Sequence, residues 1–345
     1  MGFASDNGSG VPAAVLDALA RANDGAVPGY GDDALSARVT DRLRAVFEAP
    51  QAEVRLVPTG SAANALALAV LTPPWGAVWC HRLAHVEVDE CGAPEFFTGG
   101  AKLSLLDGAH ARIDPETLDR ALSRAPRSVH QVQPATLSLT TLTECGTAYS
   151  AEHLAALAGV AHRHGLGVHL DGARFANALV ATGATPAELS WKAGVDVLCL
   201  GGTKNGLMAA EAVILFDPAR AAEFDLRRKR GGLLLSKHRY LAAQFDAWLE
   251  GDLWLDLAAR ANRAGARLAQ GLGAIDGVEL RHPVDGNMLF PRWPAEMAEG
   301  LRAGGVRFYG GPDPDAPGHE TARLVASWNT TDAEIDAALA ICRGH

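Results

Sequence analysis

A chain of 345 residues with 31 Lys and Arg against 40 Asp and Glu, a formal net charge of -9, is too acidic for a nucleic-acid binder, which carries a basic face. Its 48% hydrophobic and 21% charged residues fit a globular protein with room for one large domain and a smaller one. No apolar run reaches the length of a membrane span.

Five scattered cysteines, Cys80, Cys91, Cys145, Cys199 and Cys342, include no C-x-x-C pair. With no basic-then-apolar leader at the start, they predict a reduced, cytoplasmic protein.

In chain order, polar, glycine-rich residues 3–10 precede Val11-Pro12, which opens a helix pattern through Val15, Leu16 and Leu19. The turn Pro28-Gly29-Tyr30-Gly31-Asp32-Asp33 leads to a second helix over 34–47. Tyr30, held between two glycines, reads either as a substrate contact or as a loop tyrosine covering a neighbour. A strand at 54–58 runs into Thr59-Gly60-Ser61-Ala62-Ala63-Asn64 and an apolar helix that ends near residue 73. Free N–H groups and the helix dipole at such a start attract an anion, above all a phosphate; the competing reading makes Ser61 a plain helix cap.

A strand at 77–80 precedes His81, His85, Glu87, Asp89 and Glu90. Their spacing matches no standard zinc motif, so no metal is expected. Strands at 102–106 and 129–134 follow, with a helix start at Asp114-Pro115 between them, then a threonine-rich segment ending Glu144-Cys145-Gly146 and a helix over 153–164.

The stretch 198–206 organises the rest: an apolar strand stops at Gly201-Gly202, and Lys204 follows. Some 30 residues earlier, His169-Leu170-Asp171-Gly172-Ala173-Arg174 repeats the design with an acid and an arginine. A last strand at 211–216 completes a series in which strands alternate with helices, the pattern of an α/β domain with a largely parallel sheet. Ligands of such sheets sit beyond the carboxyl ends of the strands, which places the Gly60-Ser61 turn, Asp171 and Lys204 on one edge.

After the basic cluster Arg227-Arg228-Lys229-Arg230, a helical pattern covers 236–270. Short strands at 278–280, 288–290 and 322–326 and helices at 296–303 and 332–342 form a smaller α+β unit. Residues 310–319, rich in Gly, Pro and Asp, are expected to be a mobile loop. The expected division is 1–247 for the large domain with its N-terminal segment and 248–345 for the small one.

A lysine at a strand end, a carboxylate on the neighbouring strand and an anion-binding helix start are what pyridoxal phosphate requires. The amine forms a Schiff base, the carboxylate keeps the pyridine nitrogen protonated, and the helix end holds the phosphate. Singly, Lys204 reads as a surface lysine, Asp171 as a turn cap and Arg174 as its ion-pair partner; jointly they point to the cofactor.

The motifs Ser5-Asp6-Asn7, Tyr30-Gly31-Asp32-Asp33, Pro58-Thr59-Gly60-Ser61-Ala62-Ala63-Asn64, the segment 85–93, His169-Leu170-Asp171-Gly172-Ala173-Arg174, Gly201-Gly202-Thr203-Lys204-Asn205-Gly206 and Arg323-Leu324-Val325 carry a resemblance over essentially the whole chain. It resembles the low-specificity L-threonine aldolases, β-eliminating-lyase relatives within the aspartate-aminotransferase-like, fold-type-I pyridoxal-phosphate enzymes.

The resemblance implies that Lys204 carries the cofactor, Asp171 faces its ring nitrogen, and Gly60 and Ser61 hold its phosphate, with Thr203 and Arg174 among the cofactor contacts. It implies that His85 stacks on the ring near the substrate hydroxyl, as base or as stacking partner only. Arg174, Arg323 and Ser5 would hold the substrate carboxylate, and across a subunit boundary in a homodimer or homotetramer Arg230 would reach the cofactor phosphate and Tyr30 the substrate.

The implied reaction is cleavage of L-threonine, L-allo-threonine or a related amino acid to glycine and an aldehyde. The alternatives are β-elimination, glycyl transfer to another aldehyde, and a non-catalytic module on the same fold. One departure bears on substrate: Leu142 stands where part of the family is expected to place a second histidine, which points toward bulkier substrates such as β-phenylserine.

Overall fold

The structure, a computed structural model, describes residues 1–344. The apolar runs become strands β1 Glu53–Val57, β2 Gly76–His81, β3 Lys102–Leu106, β4 Gln133–Thr140, β5 Gly167–Gly172, β6 Val197–Gly201 and β7 Glu211–Leu215. They form one seven-stranded sheet in the order β1-β7-β6-β5-β4-β2-β3. Every residue of β6 and β7 is buried, as continuous apolar runs in a covered sheet should be.

Only β7 opposes the others, pairing antiparallel with both β1 and β6. The remaining six strands therefore run one way, and β1, β5 and β6 end on the same edge. The helix Gly60–Leu71 that leaves β1 is buried from Ala62 to Leu71, consistent with its nearly uniform apolar surface.

The smaller sheet contains β8 Glu279–Leu280, β9 Met288–Leu289, β10 Pro291–Pro294, β11 Tyr309–Pro312 and β12 His319–Val325. Its order is β11-β12-β10-β8, with β9 also on β12. A second core of Leu268, Leu289, Trp293, Met297, Leu324 and Ile335 lies against it and takes in Phe3 from the start of the chain. Phe3 donates its N–H to Arg307 O (2.9 Å) and accepts at its own O from Val325 N (2.8 Å). These bonds hold the first residues on the small sheet and direct residues 5–7 toward the large one.

Four expectations are corrected. The strand expected at 129–134 begins at Gln133 and runs to Thr140, because the threonine-rich segment is β-branched and suits a pleated, buried surface. The helical pattern at 236–270 is two helices, Arg239–Leu249 and Leu253–Gly273, separated where Gly251 and Asp252 take φ 57° and 56°. The expected loop at 310–319 opens inside strand β11. The cap of helix Gly60–Leu71 is Thr59, whose hydroxyl accepts from Ala62 N at 3.2 Å, and not Ser61.

The basic cluster closes helix Ala221–Arg230, where cations face the negative end of the helix dipole. Among the described residues no helix is long and apolar enough to cross a membrane.

Candidate active site

The loops after β5 and β6 lie directly on one another. A Cβ on Gly201 would stand 2.4 Å from Ala173 O, and one on Gly202 would stand 2.6 Å from Ala210 O. Gly202 has φ -108°, so close approach of backbones, more than freedom to turn, requires a glycine there. Gly201→Ala is expected to cost about 1–3 kcal/mol through overpacking against backbone. A thermal melt checks this, with a midpoint several degrees below the wild type expected.

Lys204 sits on the short turn Thr203–Asn205. Asn205 Nδ2 donates to Trp254 O (2.8 Å), and Trp248 Nε1 donates to Asn205 O (2.9 Å), so the turn is tied to the helices behind it.

A cleft of about 490 Å³ opens at this edge. The structure brings Gly60, Ser61, His85, Asp171, Arg174, Thr203 and Lys204 together around it. Burial, and secondarily the charge of Arg174, lowers the Lys204 pKa despite Asp6, Asp171 and Glu211 nearby. An amine so placed is more easily deprotonated and therefore a better nucleophile.

Asp171 is buried, with Oδ1 accepting from Ala173 N and Oδ2 from Asn64 Nδ2, both at 2.9 Å. His85 places Nδ1 2.8 Å from Glu90 Oε1, and its backbone N–H donates to Glu144 Oε1 at 2.9 Å.

Arg174 is gripped on one edge. Its Nε and Nη2 donate to the two carboxylate oxygens of Asp6 at 2.7 and 2.9 Å, the bidentate geometry that suits a guanidinium. Burial opposes a charge on Asp6, which is 1% exposed. The charge and hydrogen bonds of Arg174 nevertheless keep its pKa below the ordinary carboxylate value. Arg174 lines the cleft while Asp6 lies outside it, and Nη1 with the second N–H of Nη2 is left for a carboxylate in the cleft.

Two further carboxyls in the wall, Glu144 and Glu211, are pushed up to about 7 by burial. Glu211 also accepts from Gly202 N at 2.7 Å. Unfolded, both would lose their protons near 4.5. Between those limits the folded chain binds more protons, so stability contributed by these groups is present below about 4.5 and lost as pH rises through about 7. Melting the cofactor-free protein at intervals from pH 5 to 8 should show that decline, and Glu144→Gln should flatten it.

Other predicted residues lie outside the cleft of this one chain. Ser5 caps a short turn, accepting from Asn7 N at 3.2 Å. Tyr30 is exposed, with Lys229 Nζ 4.8 Å from its ring centroid, and Arg230 is exposed at its helix end. Arg323 lies over the Tyr309 ring (5.0 Å) and donates to Ala4 O (3.2 Å), lining a separate cavity of about 530 Å³.

His81 is engaged in its own loop, with Nε2 against Gly108 O and Nδ1 accepting from Leu83 N. Leu142 does line the cleft, packed against Gly286. Sequence reasoning gave no role to Asp6, Asn64, Glu144 or Glu211, and considered Glu90 only as an unlikely metal ligand. Asp6 and Asn64 lay inside quoted motifs; for Asn64 its polarity at the head of an apolar helix was the available signal, and for Asp6 the polar segment around it offered none.

The beta-eliminating lyase family matches residues 2–293. The low specificity L-threonine aldolase of Pseudomonas aeruginosa is 44% identical over 329 residues, covering 95% of this chain and 93% of that protein. The threonine aldolase of Leishmania major superposes with a TM-score of 0.94 at 30% identity, covering 99% of this chain and 98% of that one. A serine palmitoyltransferase of Sphingomonas wittichii shares the fold alone: TM-score 0.74 and 16% identity over 100% of this chain and 86% of its own. The architecture is the type I fold of pyridoxal-phosphate enzymes, as the resemblance implied, with a mostly parallel central sheet and a smaller C-terminal one.

Proposed function

The chain belongs to the beta-eliminating lyase family, and on that premise we propose that it is a pyridoxal-phosphate-dependent aldolase cleaving L-threonine and related L-β-hydroxy-α-amino acids to glycine and an aldehyde. The observation that carries this reading is the meeting of Lys204, Asp171, Arg174 and His85 in one cleft at the carboxyl ends of the strands. The relatives named as threonine aldolases support it.

The cleft fits the cofactor. Among the described residues, the N–H groups of Gly60 and Ser61 meet no protein acceptor, and nothing stands within 4 Å of where a Gly60 Cβ would be. That leaves a helix start open to a phosphate. Two buried polar atoms of the wall, Asn64 Oδ1 and Glu90 Oε2, also lack protein partners.

Bound there, pyridoxal phosphate supplies an electron sink conjugated to the substrate amine. Lys204 would hold the cofactor through its amine, Asp171 would keep the ring nitrogen protonated, and Gly60, Ser61 and Thr203 would bind at the phosphate end. Arg174 would hold the substrate carboxylate through Nη1, with Arg323 and Ser5 joining from the small sheet and the N-terminal segment. His85, with Nδ1 turned to Glu90, would take the β-hydroxyl proton at Nε2 as the Cα–Cβ bond breaks. Leu142 gives the leaving aldehyde an apolar wall, which suits β-phenylserine.

The test is to incubate the protein with L-threonine and with L-phenylserine and to assay glycine and aldehyde separately. Equal amounts of both support aldol cleavage; ammonia with a 2-oxo acid and no glycine would establish β-elimination instead.

Homodimers or homotetramers complete this reading. Tyr30 and Arg230 are exposed, as are the apolar Phe96 and Leu226, and the first two would serve a neighbouring subunit's cleft. The free cysteines suit a cytoplasmic location.

A further inference from the structure

His85 and Asp171 are joined through Glu90 and Asn64. Asn64, on helix Gly60–Leu71, donates from Nδ2 to Asp171 Oδ2 and to Glu90 Oε1, each at 2.9 Å. Burial raises the Glu90 pKa while the hydrogen bonds from His85 and Asn64 favour its ionised form; with both carboxyls ionised, and so acceptors only, this orientation of the amide satisfies both. The same Glu90 Oε1 lies 2.8 Å from His85 Nδ1. Three separate elements thus build a chain His85–Glu90–Asn64–Asp171. Glu90 has its side chain wholly shielded from solvent, while His85 remains about a third exposed.

We propose that Glu90 is a positioning residue. It holds the neutral His85 ring in the tautomer protonated on Nδ1, leaving the Nε2 lone pair to face the reacting hydroxyl, while Asn64 ties Glu90 to the carboxylate that serves the cofactor ring. The inference rests on the cleft being the aldolase site described above.

A buried carboxylate beside a ring nitrogen orients the ring and stabilises its charged form, the role the acid plays in a Ser-His-Asp triad. In keeping with this, the hydrogen bond to Glu90 is the leading influence raising the His85 pKa. Burial and Lys204 act against it, and Asp171 acts with it. Glu144 also reaches His85, through the backbone N–H.

Histidine-selective ¹⁵N labelling of the cofactor-loaded protein tests the tautomer without any change near the ring. The His85 signals are assigned by their loss in His85→Asn. Above the pH at which the ring titrates, a protonated Nδ1 and bare Nε2 are expected; a proton on Nε2 would overturn the proposal.

In Glu90→Gln the ring should titrate at lower pH than in the wild type, and the acid limb of the kcat profile should move with it. The variant's kcat on L-threonine should fall roughly tenfold or more, with KM changed less than about twofold. An unmoved His85 titration would also overturn the proposal. Should the wild type release no glycine, the aldolase reading fails, while the spectra still decide the pairing of His85 with Glu90.

Discussion

Lys204→Ala should release glycine from L-threonine at least roughly 10³-fold more slowly than the wild type, a loss of about 4 kcal/mol of transition-state stabilisation. It should also be colourless after incubation with pyridoxal phosphate, where the wild type absorbs in the visible. The reason lies in the position of the side chain. The turn that presents Lys204 is held by Asn205 and Trp248, and burial lowers the amine's pKa, so the backbone is fixed and the amine is the more easily deprotonated.

Lys204→Arg separates reactivity from charge. Arginine keeps the positive charge beside Asp6, Asp171 and Glu211 but stays protonated at any working pH. It should be as inactive as the alanine variant. An active arginine variant would mean that Lys204 serves only as a charge. Unchanged far-ultraviolet circular dichroism should accompany both losses, because the Lys204 side chain forms no hydrogen bond within the fold among the described residues.

Asp171→Asn is the second large loss, with kcat expected to fall roughly 10²- to 10⁴-fold. Asp171 accepts two hydrogen bonds, from Ala173 N and Asn64 Nδ2. An asparagine in the same place can satisfy one and must turn its own NH₂ toward the other donor. It also removes the negative charge that would hold the proton on the cofactor's ring nitrogen. Because Asp171 helps to raise the His85 pKa, the acid limb of the remaining activity should move to lower pH. Stopped-flow and steady-state assays across the pH range would measure both effects. A variant with wild-type kcat would show that Asp171 only caps the turn.

The strand ends were the legible part of the sequence. Apolar runs terminating at Gly60, Asp171 and Gly201 placed three loops on one edge by the general rule for α/β sheets, and the structure brings those loops together. What stayed hidden depended on contacts far apart in sequence. Asp6 grips Arg174 across 168 positions; Asn64 reaches Asp171 across 107. No local pattern encodes such a pair.

The two glycines before Lys204 were visible, but their reason was not. Gly201 makes room for the backbone of the neighbouring loop at Ala173, and Gly202 for the returning end of its own loop at Ala210, which only the packed sheet reveals. Tyr30, Arg230 and Arg323 mark the other boundary. A single chain leaves Tyr30 and Arg230 on its surface, where residues serving a neighbouring subunit would be, and Arg323 over Tyr309.

Borohydride reduction of the cofactor-loaded protein, followed by peptide mass mapping, tests most directly whether the chemistry is centred on Lys204. A pyridoxyl label is expected on the peptide carrying Lys204 and nowhere else. A label on Lys102, Lys192, Lys229 or Lys237, or on no lysine at all, would contradict it.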